Sequence, residues 1–223
     1  MAESRTYELS GFDSVNVSTG VRAIVTTGGE YNVRVEARDT TTLDRLDVST
    51  VGGRLHIGFS RNFLDFVFNG GLMDLIRFGG DMGVTAYVTL PVLNGAEAGS
   101  GGRIEASNIT SARFRADASS GGAVTLLAIA GGDLRAQSSS GGRIEIEGTA
   151  SELEASVSSG GTLRAERLRS ERGRLEASSG GSLETTITAR VRANASSGGH
   201  VEVFGNPPER DINSSSGGNV SLR

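Results

Sequence analysis

Ser138-Ser139-Ser140-Gly141-Gly142-Arg143-Ile144-Glu145-Ile146 is one beat of a repeat that fills the second half of the chain. The same Ser-Gly-Gly begins at Ser100, Ser120, Ser140, Ser159, Ser179, Ser197 and Ser216. Successive first glycines are 20, 20, 19, 20, 18 and 19 residues apart. A fixed period in this range marks an architecture in which each unit buries its apolar face against its neighbours.

Aligning the glycine pairs assigns a role to each position. After each pair comes a short alternating strand: Ile104/Ala106, Val124/Leu126, Ile144/Ile146, Leu163/Ala165, Leu183/Thr185, Val201/Val203 and Val220/Leu222. Alternate residues of a strand share a face, so this set points one way while Arg103/Glu105, Arg143/Glu145 and His200/Glu202 point the other. Before the glycines the inward residues shrink, as in Phe114/Ala116/Ala118, Leu134/Ala136/Ser138 and Val191/Ala193/Ala195. The serine is expected inside the corner, its hydroxyl bonding along a stacked column, with the glycines supplying the bend. Between the strands lies a second, less regular corner, such as Asn108-Ile109-Thr110 and Gly205-Asn206-Pro207-Pro208.

Gly-Gly between alternating strands is also a type I′ hairpin signal, which would make an antiparallel meander. The parallel solenoid explains more. Equivalent residues match in every repeat, and a flat meander carpeted with Ala and Ser would bury too little apolar area to hold a second layer. The expected fold is therefore an all-β, right-handed parallel β-helix with about 19–20 residues per coil.

Upstream, residues 5–58 read as N-terminal strands and a cap. Tyr7/Leu9, Val15/Val17, Val21/Ala23/Val25, Val33/Val35 and Leu55/Ile57 alternate. Residues 39–46 read as one short helix capped by Asp39 or Thr40, placed to cover an open end of the solenoid. The strand Val84–Leu90, ended by Pro91, leads into regular coils over 84–223, so 1–223 reads as a single domain. Residues 59–83 form a Phe-rich insertion that breaks the pattern. Phe63, Phe66, Phe68, Leu72, Met73, Leu75, Ile76 and Phe78 make it the candidate partner surface, or else a loop folded back to shield the sheet.

Composition narrows the function. Thirty-three glycines with three prolines and no collagen period exclude a collagen-like chain. A net charge of −4, with Arg and Glu alternating, gives no reason to expect nucleic acid. No cysteine is present, so disulfides and thiolate metal sites are excluded. No apolar run is long enough to span a bilayer. The start, Met1-Ala2-Glu3-Ser4-Arg5, lacks the apolar core of an export signal, which leaves a cytoplasmic protein or an exported one already processed.

Catalytic patterns are missing from the sequence. Polysaccharide-active β-helices gather carboxylates on one face, and Glu105, Glu145, Glu184 and Glu202 are candidates for such a stripe. Solvated decoration is the simpler reading, because these residues alternate with arginine. His56 and His200 are far apart in sequence and both point outward. No nucleophile elbow, phosphate loop, zinc or calcium motif occurs. No catalytic, cofactor or metal residue is expected, and the protein reads as non-enzymatic.

The order of elements carries a resemblance. Gly11-Phe12-Asp13-Ser14-Val15-Asn16-Val17, Gly20-Val21, Gly53-Arg54-Leu55-His56-Ile57, Val88-Thr89-Leu90-Pro91-Val92-Leu93 and the Ser-Ser-Gly-Gly coils follow one another. The chain resembles the bacterial family described as "putative auto-transporter adhesin, head GIN domain" across about residues 10–220. The resemblance implies a β-helix in the periplasm or at the cell surface, binding a protein or glycan. It supplies no catalytic residues to carry over. A second expectation is a self-associating scaffold in the manner of bactofilins. Homo-oligomers would then form through the Phe-rich insertion or the final coil, where Leu222-Arg223 reads as an uncapped strand.

Overall fold

A computed structural model describes residues 3–60 and 83–223 of the 223. The strands are β1 (Glu3–Tyr7), β2 (Ser14–Val17), β3 (Arg22–Thr27), β4 (Asn32–Ala37), β5 (Leu46–Val51), β6 (Arg54–Phe59), β7 (Thr85–Leu90), β8 (Gly95–Ala98) and β9 (Arg103–Ser107). They continue with β10 (Thr110–Ala118), β11 (Ala123–Ser138), β12 (Arg143–Val157), β13 (Thr162–Ala177), β14 (Ser182–Ala195), β15 (His200–Phe204), β16 (Glu209–Ser214) and β17 (Asn219–Leu222). One helix, α1 (Thr40–Asp44), joins β4 to β5.

These strands stack as the parallel coils of a β-solenoid of about six turns. One stack runs β7, β3, β9, then the first halves of β11, β12, β13 and β14, then β15 and β17, all parallel. The other runs β6, β2, β8, β10, then the second halves of β11 to β14, and β16. The chain is not laid down strictly in order: β2 and β3 sit between the β6/β7 layer and the β8/β9 layer. Beyond β7 and β6 the pairing turns antiparallel, with β4 on β7, β1 on β4 and β5 on β6. The expected helix is present, its first turn capped by the Asp39 side chain accepting from the Thr42 N–H at 2.7 Å. Leu43 anchors it, and it packs against β1 and β4.

The interior is a set of stacked apolar columns. Ile104, Val124, Ile144, Leu163, Leu183 and Val201 are each at most 1% exposed. Phe114, Leu134, Leu153 and Val191 form a second column that Gly173 interrupts. A Cβ on Gly173 would lie 2.7 Å from Ile187 Cδ1, so Ile187 fills the space that a larger residue takes in the other coils.

The Ser-Gly-Gly corner differs from the sequence expectation. Ser140 has φ +49° and Gly141 φ +74°, and the Gly142 N–H donates to the Ser139 carbonyl at 2.8 Å. Those are the φ signs and the hydrogen bond of a type I′ turn, here bending a parallel coil rather than closing a hairpin. Gly142 is glycine for a different reason, since a Cβ there would meet Ala118 O at 2.3 Å. The serine hydroxyls do not stack inside: Ser120, Ser140, Ser159, Ser179 and Ser197 are exposed. The left-handed backbone turns each side chain out, and the repeat is bonded through its main chain instead. The Ser140 carbonyl accepts from Gly121 N–H of the preceding coil, and the Ser159 carbonyl accepts from Gly141 N–H, both at 3.2 Å. At this corner it is Ser138 that is buried, and its hydroxyl donates to the Gly142 carbonyl at 2.7 Å.

Candidate binding surface

The candidate partner residues Phe63, Phe66, Phe68, Leu72, Met73, Leu75, Ile76 and Phe78 lie outside the described residues. The other sequence candidates can be placed. Register brings Glu105, Thr125, Glu145, Arg164, Glu184 and Glu202 into one outward column. Three of its members are held in ion pairs: Arg22 grips Glu105 at 2.8 and 2.9 Å, Arg167 holds Glu145 at 3.0 Å, and Arg223 holds Glu202 at 2.5 Å. Glu184 shares a hydrogen bond with Glu166. That bond, followed by burial and repulsion from the neighbouring carboxylates, holds its carboxyl above the usual range, against the pull of Arg164. His56 Nδ1 lies 2.8 Å from Asn16 Oδ1, Asn16 donates to Glu97, and Arg54 pairs with Glu97 at 2.8 Å. This ladder bonds β6 to β2 to β8. His200 sits beside Asn219 at 3.3 Å, in the other stack. Among the described residues no group of three or more His, Cys, Asp or Glu is arranged to hold a metal ion.

The second stack carries a surface that linear reading misses. Its outward residues form two neighbouring columns, and the sheet backbone is the floor between them. One column is Arg113, Asp133, Glu152, Arg172, Arg190, Glu209, and the other is Arg115, Arg135, Glu154, Arg174, Arg192, Asp211. Two shallow grooves lie between the columns, of about 440 Å³ near Arg113 and about 580 Å³ around Arg172 and Arg192.

In the larger groove Arg172 stands directly opposite Arg190, and Arg174 directly opposite Arg192, on adjacent parallel strands. The result is a square of four arginines, with neighbours about 4.8 Å apart across strands and about 6.6 Å apart along them. Like charges placed opposite one another destabilise a sheet. Three corners are relieved from the flanking coils: Arg172 by Glu152 at 3.4 Å, Arg190 by Glu209 at 2.6 Å and Arg192 by Asp211 at 3.2 Å. The fourth is not. The residue in register with Arg174 is Glu154, and Glu154 is bonded to Arg135 at 2.5 Å, which raises the Arg135 guanidinium above its ordinary value. Arg174 has no ion pair among the described residues.

The alternation of Arg and Glu along the chain is thus not preserved in space, because a parallel stack places residues about twenty positions apart side by side. Two signals were available in the sequence. Arg172-Gly173-Arg174 and Arg190-Val191-Arg192 repeat one pattern in consecutive coils, and all 22 basic residues are arginine, with no lysine. Arginine presents a planar fork that matches oxyanions bidentately, which lysine does not.

Fold and surface together define a β-solenoid whose charged outward columns are its distinguishing feature. The chain belongs to the family described as "Putative auto-transporter adhesin, head GIN domain", whose model matches residues 11–207. No curated protein matches. Among solved structures it is similar to a "putative adhesin" from Bacteroides fragilis NCTC 9343, at TM-score 0.80 and 18% identity, covering 100% of this chain and 97% of that one. It is also similar to a "Putative lipid binding protein" from Parabacteroides distasonis ATCC 8503, at TM-score 0.67 and 18% identity over 100% and 96% of the two chains. A further "putative adhesin" from the same organism aligns at TM-score 0.63 and 15% identity over 100% and 97%. At these identities the likeness is one of fold. No helix among the described residues is long and apolar enough to cross a membrane.

Proposed function

We propose that this chain is a non-enzymatic binding module of the cell envelope, of adhesin type, which displays the flat outward columns of its solenoid to a protein or glycan partner. One observation carries the reading. The outward residues keep their register from coil to coil and are braced by ion pairs between coils, as Arg135–Glu154, Arg190–Glu209 and Arg192–Asp211. Each pair is exposed and contributes about 0–1 kcal/mol, too little to explain the surface as a stability device. A rigid polar lattice of that kind serves recognition better than turnover, since it offers neither a deep pocket nor a base beside a nucleophile. The name of the Parabacteroides relative suggests a lipid instead. The described interior is built of stacked columns of Leu, Ile, Val and Ala, and the outward columns are charged, which favours a polar partner.

The test is adhesion. Beads coated with the purified chain are expected to be retained on bacterial or host cell surfaces above albumin-coated beads. Retention no better than albumin on every surface would defeat the reading.

A further inference from the structure

We propose that the arginine square Arg172/Arg174/Arg190/Arg192 is an oxyanion-binding site for an acidic polysaccharide, the chain lying in the groove along the solenoid axis. The proposal rests on the binding-module reading and names the chemistry of its partner.

Like charges meet elsewhere on this face, as where Arg115 stands opposite Arg135, but among the described residues only the square sets two Arg–Arg pairs side by side. Arg135, Arg190 and Arg192 each find a carboxylate in the next coil, yet two pairs of arginines lie in register on adjacent strands and Arg174 is left uncompensated. Local rules are broken in this way at functional sites, where a ligand restores the balance. A carboxylate or sulfate above Arg174 would meet donors from two adjacent coils and relieve the repulsion that the free protein carries.

The surroundings choose the class of polyanion. Five arginines line the larger groove together with three carboxylates, Glu152, Glu209 and Asp211. A sugar chain bearing acidic groups needs both kinds of partner, donors for its anions and acceptors for its hydroxyls. A polyphosphate needs donors only, and single-stranded nucleic acid also needs aromatic platforms. Among the described residues lining the two grooves no aromatic side chain is exposed: the one beside the smaller groove, Phe114, is 3% exposed. A lipid surface would call for an apolar fringe, and among the described residues lining the larger groove no apolar side chain is exposed.

The experiment measures binding of the full chain to immobilised polygalacturonate, neutral dextran, an oligothymidylate and anionic phospholipid vesicles, at low and near-physiological salt. Polygalacturonate is expected to bind and dextran not. The double variant R174Q/R192Q is expected to lose about tenfold or more in affinity. R103Q/R143Q makes the same charge change in the other stack and is expected to bind like the parent. Without ligand, R174Q is expected to melt no lower than the parent, because the change removes repulsion and breaks no ion pair among the described residues. No binding to polygalacturonate, equal loss in the two double variants, binding to oligothymidylate or vesicles as tight as to the glycan, or a lower melting point of R174Q would each overturn the proposal. Bead retention separates the two levels. Retention that free polygalacturonate cannot compete away leaves the binding module standing and removes the acidic glycan, whereas loss of all retention removes the module itself.

Discussion

The two glycines of each corner are expected to respond unequally to the same substitution, and Gly141 and Gly142 make the test. At Gly141 a Cβ would have no atom within 4 Å, so Gly141→Ala encounters only the backbone problem at φ +74°. The left-handed conformation costs an L-residue about 1–2 kcal/mol, and a stiffer unfolded chain returns about 0.4–1 kcal/mol, leaving a net loss of about 1 kcal/mol. Gly142 has no such φ, but its Cβ would lie 2.3 Å from Ala118 O and 2.5 Å from Ala118 C. Ordinary contact needs roughly 1 Å more, and neither backbone atom can rotate away. The neighbouring coils must part, stretching the bonds Ser139 N–H to Ala118 O at 3.0 Å and Arg143 N–H to Gly122 O at 2.9 Å. Weakening two or three such bonds at about 0.5–1.5 kcal/mol each puts Gly142→Ala near 2–4 kcal/mol. At about 2–4 °C per kcal/mol for a chain of this size, melting should fall by about 3 °C for Gly141→Ala and about 10 °C for Gly142→Ala. Because a solenoid couples mainly to its neighbours, amide exchange at Ser139 and Arg143 should accelerate in the second variant before distant coils change. Equal melting points, the reverse order, or unchanged exchange at those amides in Gly142→Ala would refute the division of labour.

Three further outcomes follow from the same fold. Leu126 is 0% exposed and Leu127 is 42% exposed, so Leu126→Ala should cost about 2–5 kcal/mol and Leu127→Ala within about 0.5 kcal/mol in urea unfolding; similar costs would contradict the inward column. Ser159 holds φ +50°, a conformation asparagine adopts readily and Asn108 already adopts at φ +56°, so Ser159→Asn should raise the melting temperature slightly, and a fall would argue against the turn assignment. Glu184 has its folded pKa raised by Glu166, burial and Glu202, so the folded state holds its proton more tightly than the unfolded one. Stability should therefore decline as pH rises from the ordinary carboxylate range through the raised value. Glu184→Gln is expected to melt higher than the parent at neutral pH and to lose that advantage in acid, and a variant with no gain at neutral pH would show that the carboxylate pair is not repulsive.

Much of the architecture was legible because it obeys short-range rules. Period-2 alternation placed the inward columns, and nearly every residue assigned to them is buried, from Ile104 to Val203. Asp39 before Thr40 announced the helix start. The serine of the corner was misread for a physical reason. Size alone suggested a small residue turned inward, whereas φ decides which way a side chain leaves a type I′ turn, and nothing in the repeat distinguishes a buried serine from one in the left-handed region. The antiparallel layer of β1, β4 and β5, and the placement of β2 and β3 between later strands, were also out of reach. Those pairings join segments without a shared repeat, so there was no beat to align.

The charged face shows what register adds to composition. A chain of net charge −4 with arginine and glutamate well mixed has no basic patch when read along its length. Parallel stacking folds that line at each corner and sets residues nearly twenty positions apart side by side, so charge patterning at the period of the coil, not along the strand, decides the surface. At Arg172–Arg192 an 18-residue coil brings one Arg-x-Arg onto another, while one coil earlier Glu152 and Glu154 lie in register with Arg172 and Arg174. Sequence changes that leave every corner and every inward residue untouched can therefore create or erase a charged square. The repeat conserves the scaffold, and the outward positions remain free to set what it binds.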